Sequence, residues 1–349
     1  MPINYTRSMD ALLSLTADNY YKSGLVHDAV FKSNPTFAAL HKKGVKKETK
    51  GGGKIQVNLM YGKNGTVKSY SRYETLDVAP QDGIEPAFYP WAQYSGSVAI
   101  DGLSEAQNSG APQIQKLLRE KMTQLTMSFS EQMNEDLWDL SGLTVATATT
   151  GNGGKKIQSI PLFVQGDPTA ASTVGGIDQA TNSWWRNKTA NSNADSYIKL
   201  KSELRNLYSE VCKGNGGSPD MGIADLVTYN TYEASMDAQI RYTQDSDATL
   251  GFENIKLKGA KLFWDEHVPD PDTGVNWDSG SLANGAVYLL NTKFLELVVM
   301  SGKDFAPLGF QQPVDQDARV GNWVFYGQLV CSNRAKQGVL EDTLLTIVS

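Results

Sequence analysis

The feature that most constrains the fold is a regular series of apolar residues between positions 112 and 140. Their spacing of three or four residues places them along one side of an α-helix. Pro112 suits the first turn, where its missing N–H would have no intrahelical partner, and Gly142 ends the pattern. We therefore predict a long amphipathic helix, roughly 40 Å in length at 1.5 Å per residue. Its apolar positions are Ile114, Leu117, Leu118, Met122, Leu125, Phe129, Met133, Leu137 and Leu140.

The first fifty residues are basic, although the chain as a whole is acidic. They contain eight Lys or Arg and four Asp or Glu, whereas the 349-residue chain has a net charge of −6. Such a charge run is typical of a solvated arm, with docking on an acidic neighbour or on packaged nucleic acid as the alternative. We predict an N-terminal arm over residues 1–50 and, from the overall acidity, no general nucleic-acid-binding surface. The basic run consists of Lys42, Lys43, Lys46, Lys47 and Lys50.

A strand-like pattern begins after three consecutive glycines at positions 51–53. Every second residue from Ile55 to Tyr61 is apolar, which is typical of a half-buried β-strand. Asn64-Gly65 follows, and this dipeptide between strand-like runs is a strong hairpin signal. We predict a two-stranded projection within residues 51–90, with its tip near Asn64 and its returning strand at 66–73. An isolated hairpin is only marginally stable in water, so we expect another surface to support it.

The rest of the chain alternates helical and strand-like patterns, which predicts an α+β fold. Apolar residues at helical spacing precede the glycine-rich segment 214–217, and shorter apolar runs without that spacing follow it. We predict helices at residues 197–212 and 232–242, and strands at residues 226–227, 255–264, 286–290, 294–300 and 323–331.

The sequence contains no recognisable catalytic constellation. His27, His41 and His267 lie far apart and lack metal-ligand spacing. Residues 153–156 lack the upstream glycine and the Ser or Thr of a phosphate-binding loop. Residues 270–274 lack the third acidic ligand of a calcium loop, and Ser281 stands where its bidentate glutamate should be. Asp265-Glu266 could form half of a paired-carboxylate site, but no partner is evident. We predict no catalytic, cofactor-binding or metal site, and no cofactor.

Three interpretations of Trp184-Trp185-Arg186 remain open. The segment could be a platform on which sugars stack, an anchor at an interface between subunits, or part of the internal packing. Cys212 and Cys331 form no spacing motif, which indicates a reducing compartment. No apolar run approaches membrane-spanning length, and residues 1–7 do not resemble a signal peptide. We expect a soluble protein, synthesised in the cytoplasm, with no membrane partner.

Several short stretches, taken in order, resemble the major capsid proteins of tailed bacteriophages with the Hong Kong 97-like fold. Each stretch alone is weakly specific, but together with the arm, the hairpin and the long helix they cover nearly the whole chain. They are Gly175-Gly176-Ile177-Asp178, Asn182 to Asn187 around the two tryptophans, Pro219-Asp220 with Leu226-Val227-Thr228, Tyr229 and Tyr232, Gly251 to Ile255, Gly259 to Asp265, Tyr288 to Asn291, and Gly327 to Arg334.

The resemblance implies an N-terminal arm at 1–50, an extended hairpin (the E-loop) at 51–90 and a peripheral domain with the long spine helix at 91–155. It further implies an axial domain at 156–285 and closing strands at 286–349 that return to both domains. The implied function is that of a structural, non-enzymatic capsid subunit, made in the host cytoplasm and located in the virion. Hexamers and pentamers would form an icosahedral head around double-stranded DNA, without sequence-specific DNA binding.

Other proteins of the virion are implied as partners. These are a portal protein, a scaffolding protein that we expect to be separate, because only about fifty residues precede the hairpin, and a decoration protein. Our candidates for contacts between subunits are the hairpin tip, the basic run and the tryptophan segment. They are Tyr61, Gly62, Lys63, Asn64, Gly65, Thr66, Lys42, Lys43, Lys46, Lys47, Lys50, Trp184, Trp185 and Arg186.

Three alternatives stay open at the level of sequence. An encapsulin-like nanocompartment shell shares the fold and loads cargo enzymes in place of a genome. A carbohydrate-binding or hydrolytic β-rich module would use Trp184, Trp185 and nearby carboxylates, and would be a stable monomer. A tail or decoration protein of the same virion would form rings or trimers without closed shells.

Overall fold

The structure is a computed structural model, and it describes residues 35–42, 46–102, 111–139, 155–191, 197–234, 255–268, 285–313, 317–341 and 343. The helices in these ranges are α1 (Pro35–Lys42), α2 (Ala111–Trp138), α3 (Ile160–Phe163), α4 (Tyr197–Cys212) and α5 (Leu226–Ala234). The strands are β1 (Lys46–Thr49), β2 (Ile55–Met60), β3 (Ile84–Tyr89), β4 (Ala92–Asp101), β5 (Thr173–Val174), β6 (Ile177–Asp178), β7 (Lys188–Asn191), β8 (Met221–Ala224), β9 (Ile255–Leu257), β10 (Ala260–Trp264), β11 (Ala286–Leu290), β12 (Leu295–Met300), β13 (Ala306–Gln311), β14 (Ala318–Cys331) and β15 (Gly338–Glu341).

Some predicted features lie outside the described residues. They are the arm before residue 35, Lys43, the acidic turn 270–274, Leu140, the glycines at 142 and 153–154, and the helix predicted beyond residue 234.

Helix α2 confirms the long helix predicted from the apolar spacing, with bounds within two residues of the expected ones. Met122, Phe129, Met133 and Leu137 are buried on one side of it, as the spacing required. Strand β4 approaches this side at Gly96, where an added Cβ would lie 2.5 Å from the side chains of both Leu125 and Phe129. The missing side chain of this glycine therefore allows the strand to pack directly on the helix.

Strand β14 pairs with three of the other four strands of a five-stranded sheet. It pairs antiparallel with β4 over ten residues, from Ala318 opposite Asp101 to Gly327 opposite Ala92. It also pairs antiparallel with β13 and with β12, and β12 pairs in turn with β1. The sheet thus joins residues 46–49, 92–101 and 295–331, which are far apart in the sequence.

Two parts of the predicted N-terminal arm, residues 35–42 and 46–49, pack on the body of the chain and are not a solvated projection. Helix α1 buries Phe37 and Leu40 in the same core as α2. Strand β1 contains Lys46 and Lys47 and pairs parallel with β12. Phe37 and Leu40 are three residues apart, which is the spacing of a helix with one apolar side. The charge of the run hid this short apolar pattern, and residues 35–42 and 46–49 belong to the body of the subunit.

A second sheet has six strands in the order β7-β15-β11-β8-β10-β9. Successive side chains of a strand point to opposite faces, and here both faces are covered. On β11, Ala286, Tyr288 and Leu290 enter the large core that also contains α2, whereas Val287 and Leu289 enter a second core with helices α4 and α5. A sheet buried on both faces explains why this segment is apolar without alternation.

Other local predictions were confirmed or corrected. Helix α4 has the predicted bounds, β11 and β14 contain the predicted strand segments, and β12 begins one residue later than predicted. Leu226-Val227, predicted as a strand, begins α5, because the Asp225 carboxylate accepts a hydrogen bond from the Thr228 N–H (2.9 Å) and so starts a helix. The strand lies just before it, at β8. The predicted strand 255–264 is divided into β9 and β10, with Lys258 between them at φ +52°.

Candidate assembly surfaces

The predicted hairpin exists, but its strands and its loop differ from the prediction. Strand β2 pairs antiparallel with β3, from Ile55 opposite Tyr89 to Met60 opposite Ile84. The segment 66–73 is therefore not the returning strand, and residues 61–83 form one long loop. Asn64 does not occupy a two-residue hairpin turn, because the paired strands end at Met60 and Ile84. Its side-chain oxygen instead accepts a hydrogen bond from the Thr66 N–H (2.9 Å) in a local turn.

The loop at residues 61–83, together with the adjoining strand ends, carries most of the exposed apolar surface. Nine of the fourteen exposed large apolar side chains in the described residues lie between positions 60 and 88. The side chain of Tyr73 is 99% exposed, that of Val78 90% and that of Val67 82%. The nine are Met60, Tyr61, Val67, Tyr70, Tyr73, Leu76, Val78, Ile84 and Phe88. An exposed apolar cluster of this kind marks a surface that binds another molecule.

The described hydrogen bonds within this loop join loop residues to one another. The Ser71 N–H donates to the Glu74 carboxylate (3.0 Å), and the Gly65 N–H donates to the Gln81 side chain (3.3 Å). The Ala79 N–H donates in the same way to Asp77 (3.1 Å). The loop thus has local shape but no hydrogen-bonded attachment to the body in these contacts.

The tryptophan segment contributes mainly to internal packing. Trp185 is 1% exposed, and its Nε1 donates to the Val174 carbonyl (3.0 Å). This burial leaves no open pair of tryptophans. Arg186 donates to the Gln179 and Ala180 carbonyls of its own loop (2.8 and 2.6 Å). Trp184 is half-buried and stacks on the Tyr61 ring, with centroids 5.0 Å apart and planes at 20°.

The structure separates the other candidate residues into two places. Gly62, Lys63, Asn64, Gly65 and Thr66 lie in the first part of the exposed loop. Lys47 and Lys50 are exposed along and just after strand β1, whereas Lys42 ends helix α1. The prediction missed the apolar residues after position 66. Their signal was an unusual number of Val, Tyr and Leu residues in a stretch without strand alternation.

Asp265 joins three separate elements in the interior of the body. Its carboxylate accepts a hydrogen bond from the Thr36 hydroxyl of α1. Its two oxygens also lie 2.9 and 3.1 Å from the Asn134 amide nitrogen of α2, which donates to them. It also accepts the His267 backbone N–H (3.0 Å), and the His267 ring Nδ1 lies 3.4 Å away. Asp265 is therefore a structural junction within the body, whereas Glu266 beside it is exposed.

The hydrogen bonds at this junction control the ionisation of both groups. Burial alone raises the pKa of Asp265, but the hydrogen bonds from His267, Thr36 and Asn134 outweigh it and leave that pKa below its ordinary value. The hydrogen bond to Asp265 raises the pKa of His267, against the opposing effect of its partial burial. The pair therefore favours the ionised carboxylate and the charged imidazolium.

A second junction fixes the end of helix α2. The Lys156 ammonium lies 3.1 Å from the Asp136 carboxylate and 2.9 Å from that of Asp139. The Tyr94 hydroxyl donates to Asp136 (2.7 Å) and accepts the Ile157 N–H (2.9 Å). Strand β4, helix α2 and the segment after residue 155 are thereby held together. None of these links was visible in the sequence, because they join residues that are tens of positions apart.

Two buried cations near the second sheet also serve the fold. Arg334 Nε donates to the Phe163 carbonyl (2.7 Å), and burial lowers the pKa of Arg334 to about 10. The Lys336 ammonium contacts four carbonyls at the end of α4, from Val211 (3.2 Å) to Gly214 (3.3 Å). Positive charge at the C-terminal end of a helix is stabilising, because the last carbonyls have no intrahelical donors.

Within the described residues, no cluster of three or more His, Cys, Asp or Glu side chains is placed to hold a metal ion. Among the described helices, none has the length and the apolar character required to cross a membrane.

Comparison with known proteins identifies the fold. No family model matches the sequence, and no curated protein matches it. Among solved structures, the chain is similar to the cyanophage A-1(L) capsid subunit, with a TM-score of 0.58 and 16% identity over 88% of this chain and 92% of that one. It is also similar to the SrpI encapsulin of Synechococcus elongatus, with a TM-score of 0.53 and 11% identity over 86% and 85% of the two chains.

These likenesses confirm the Hong Kong 97-like fold that the sequence predicted. They extend over most of both chains. The fold is one from which capsid and encapsulin shells are built.

Proposed function

We propose that this chain is the major capsid protein of a tailed double-stranded DNA bacteriophage. In this proposal, copies of the chain form hexamers and pentamers that close into an icosahedral head. The head encloses the genome without sequence-specific DNA binding, and the acidic net charge of −6 suits a shell that does not hold DNA tightly. The protein is made in the host cytoplasm and located in the virion, with portal, scaffolding and decoration proteins as partners.

The exposed apolar loop at residues 61–83 carries this proposal. Monomeric soluble proteins rarely expose a large continuous apolar patch, whereas the interfaces of obligate assemblies cover such surfaces, with roughly 2,000 Å² or more buried in each interface. A loop that extends from one subunit onto a different surface of the next makes a heterologous contact, and repeated contacts of this kind close into rings. The fold and the loop therefore support the same function.

The encapsulin-like shell remains the second candidate, because one of the similar structures is an encapsulin. A shell of that kind would contain a cargo protein, whereas a phage head would contain DNA. The carbohydrate-binding alternative has lost its main support. Trp185 is buried, and Tyr61 covers one face of the Trp184 ring, so these side chains offer no open platform for a sugar.

The first test combines size-exclusion chromatography with negative-stain electron microscopy of the purified full chain. We expect closed polyhedral shells, or open sheets and tubes of hexamers. Nucleic acid inside particles isolated from infected cells supports the phage head, and a co-purifying enzyme supports the encapsulin alternative. A 38.1 kDa species that stays monomeric at high concentration, with virion proteins present, contradicts both kinds of shell.

A further inference from the structure

The loop at residues 61–83 joins the body through a narrow root. The Tyr61 N–H donates to the Gly83 carbonyl (3.0 Å), one step beyond the last paired residues of β2 and β3. Gly62 and Gly83 then face each other so closely that a Cβ on Gly62 would lie 3.3 Å from the Gly83 Cα. Beyond this point the described hydrogen bonds join loop residues only to one another. The direction of the loop is therefore determined at its root.

Both strands of the hairpin contact the same small surface of the body. On the β2 side, the Tyr61 ring stacks on Trp184. On the β3 side, the Phe88 N–H donates to the Gly175 carbonyl (2.8 Å) in the turn between β5 and β6. Gly175 has φ +64°, and a Cβ there would lie 3.0 Å from that of Ala87. A side chain at Gly175 would thus be strained and would crowd β3.

The surface that holds Trp184 is itself firmly packed. The neighbouring Trp185 ring lies 5.7 Å from it, is buried, and is bonded to the Val174 carbonyl next to Gly175. The Arg334 guanidinium lies 5.9 Å above the Trp185 ring. Trp184 is therefore mounted on a rigid support, although its own ring is only half-buried. Of the other large side chains at the root, Met60 and Ile84 are exposed.

We propose that Trp184 is a positioning residue for assembly, because its stack with Tyr61 fixes the direction in which the apolar loop leaves the body. The inference rests on the proposed function, since direction matters only if the loop binds a neighbouring copy. More than twenty residues lie beyond the root, so a small rotation at Tyr61 produces a much larger displacement at the far end of the loop. Without the stack, the loop would reach a neighbouring copy at several angles, and the assembled shells would have several sizes.

The test uses Trp184→Ala, the ring-preserving Trp184→Phe, and Tyr61→Ala, which removes the stack from the exposed side. Tyr326→Ala is the matched control, because Tyr326 is a half-buried aromatic residue of β14 outside the loop root. Circular dichroism first checks that each subunit is folded. Hydrogen exchange of the backbone amide of residue 61 in unassembled subunits then measures how often the loop root opens. Electron microscopy measures the diameters of the assembled shells.

We expect hydrogen exchange of the backbone amide of residue 61 to be roughly two- to tenfold faster in Trp184→Ala and Tyr61→Ala, as the loss of one aromatic pair implies. Both variants should broaden the distribution of shell diameters, with Trp184→Phe and Tyr326→Ala close to the wild type. If exchange is unchanged in the alanine variants, the stack of Tyr61 on Trp184 does not hold the loop root. If exchange is faster but the shell diameters are unchanged, the stack has no role in assembly. If the wild-type chain forms no shells, the proposed function fails, whatever the exchange data show.

Discussion

The six-stranded sheet and the loop at residues 61–83 contain the same kinds of residue in opposite surroundings. In the sheet, Tyr288 and Leu289 point to opposite faces, and both are buried within the chain. In the loop, Tyr73 and Val78 are almost fully exposed. The difference shows that composition does not determine burial. The sheet obtains its covering layers from its own chain, whereas the loop requires a surface that a single copy does not provide.

The body should therefore determine the stability of the subunit, and the loop should determine its assembly. Substitutions in the body should lower the free energy of unfolding of the subunit, and substitutions in the loop should leave it unchanged and prevent assembly.

The first prediction concerns the Asp265 junction, where Asp265→Ala should have the largest effect. The substitution removes the acceptor that Thr36, Asn134 and His267 share, at a place where Thr36 and Asn134 are buried. We expect the free energy of unfolding to fall by about 3 kcal/mol, as measured by urea denaturation of the unassembled subunit. Glu266→Ala, at an exposed neighbouring position, should change it by less than about 0.5 kcal/mol. Equal effects of the two would contradict the role of the junction.

The second prediction concerns pH and depends on His267. The pKa of His267 is raised above its ordinary 6.5, so its contribution is complete below pH 6.5 and is lost as pH rises through the folded-state pKa. The pKa of Asp265 is lowered below 3.8, so its contribution is present above that pH and is lost on acidification. The pair is thus most stabilising between these limits.

We expect the wild-type subunit to lose up to about 1 kcal/mol of unfolding free energy between pH 6 and pH 8 through this pair. His267→Gln should remove that part of the pH dependence, because glutamine does not titrate. Glu131 and Glu266, which also favour the charged imidazolium, should make smaller contributions that glutamine substitutions can separate. A thermal melting series across this pH range provides the measurement, and parallel curves for the two proteins would contradict the prediction.

The third prediction concerns the loop, where the expected effect on subunit stability is smallest. A triple variant with Val67→Ser, Tyr73→Ser and Val78→Ser changes side chains that make little contact with the body. The free energy of unfolding should stay within about 0.5 kcal/mol of the wild-type value, while shells should no longer form. A conservative triple variant with Val67→Ile, Tyr73→Phe and Val78→Ile keeps the apolar surface and should assemble. Normal shells from the serine variant would refute the assignment of this loop as an interface.

The parts of the fold that depend on local pattern were predictable from the sequence. The spacing of Met122, Phe129 and Met133 predicts both helix α2 and its buried side. The segment 197–212 and the apolar segments near residues 288, 297 and 328 likewise formed the expected elements. The family resemblance predicted the fold as a whole, because it combined weak motifs with their order along the chain.

The remaining features depend on pairings between distant residues, which local patterns do not specify. The pairing of β1 with β12 brings a basic segment into a sheet, although its charge indicated a solvated arm. The register of β2 with β3 depends on residues 84–89, so Asn64-Gly65 gave a hairpin signal at the wrong place. Trp184 was singled out by residue type alone, and its contact with Tyr61 required the structure.

The position of β15 has a consequence for the order in which a new subunit is completed. This strand lies between β7 and β11, parallel to the first and antiparallel to the second. Of the six strands in the sheet, it is the last to leave the ribosome, some 150 residues of chain after β7. Because domains generally fold as units, the sheet cannot close while its second strand is absent. The exposed apolar loop at residues 61–83 is therefore synthesised well before the six-stranded sheet can be completed. Chains that still lack β15 differ in structure from the complete subunits that form a regular lattice.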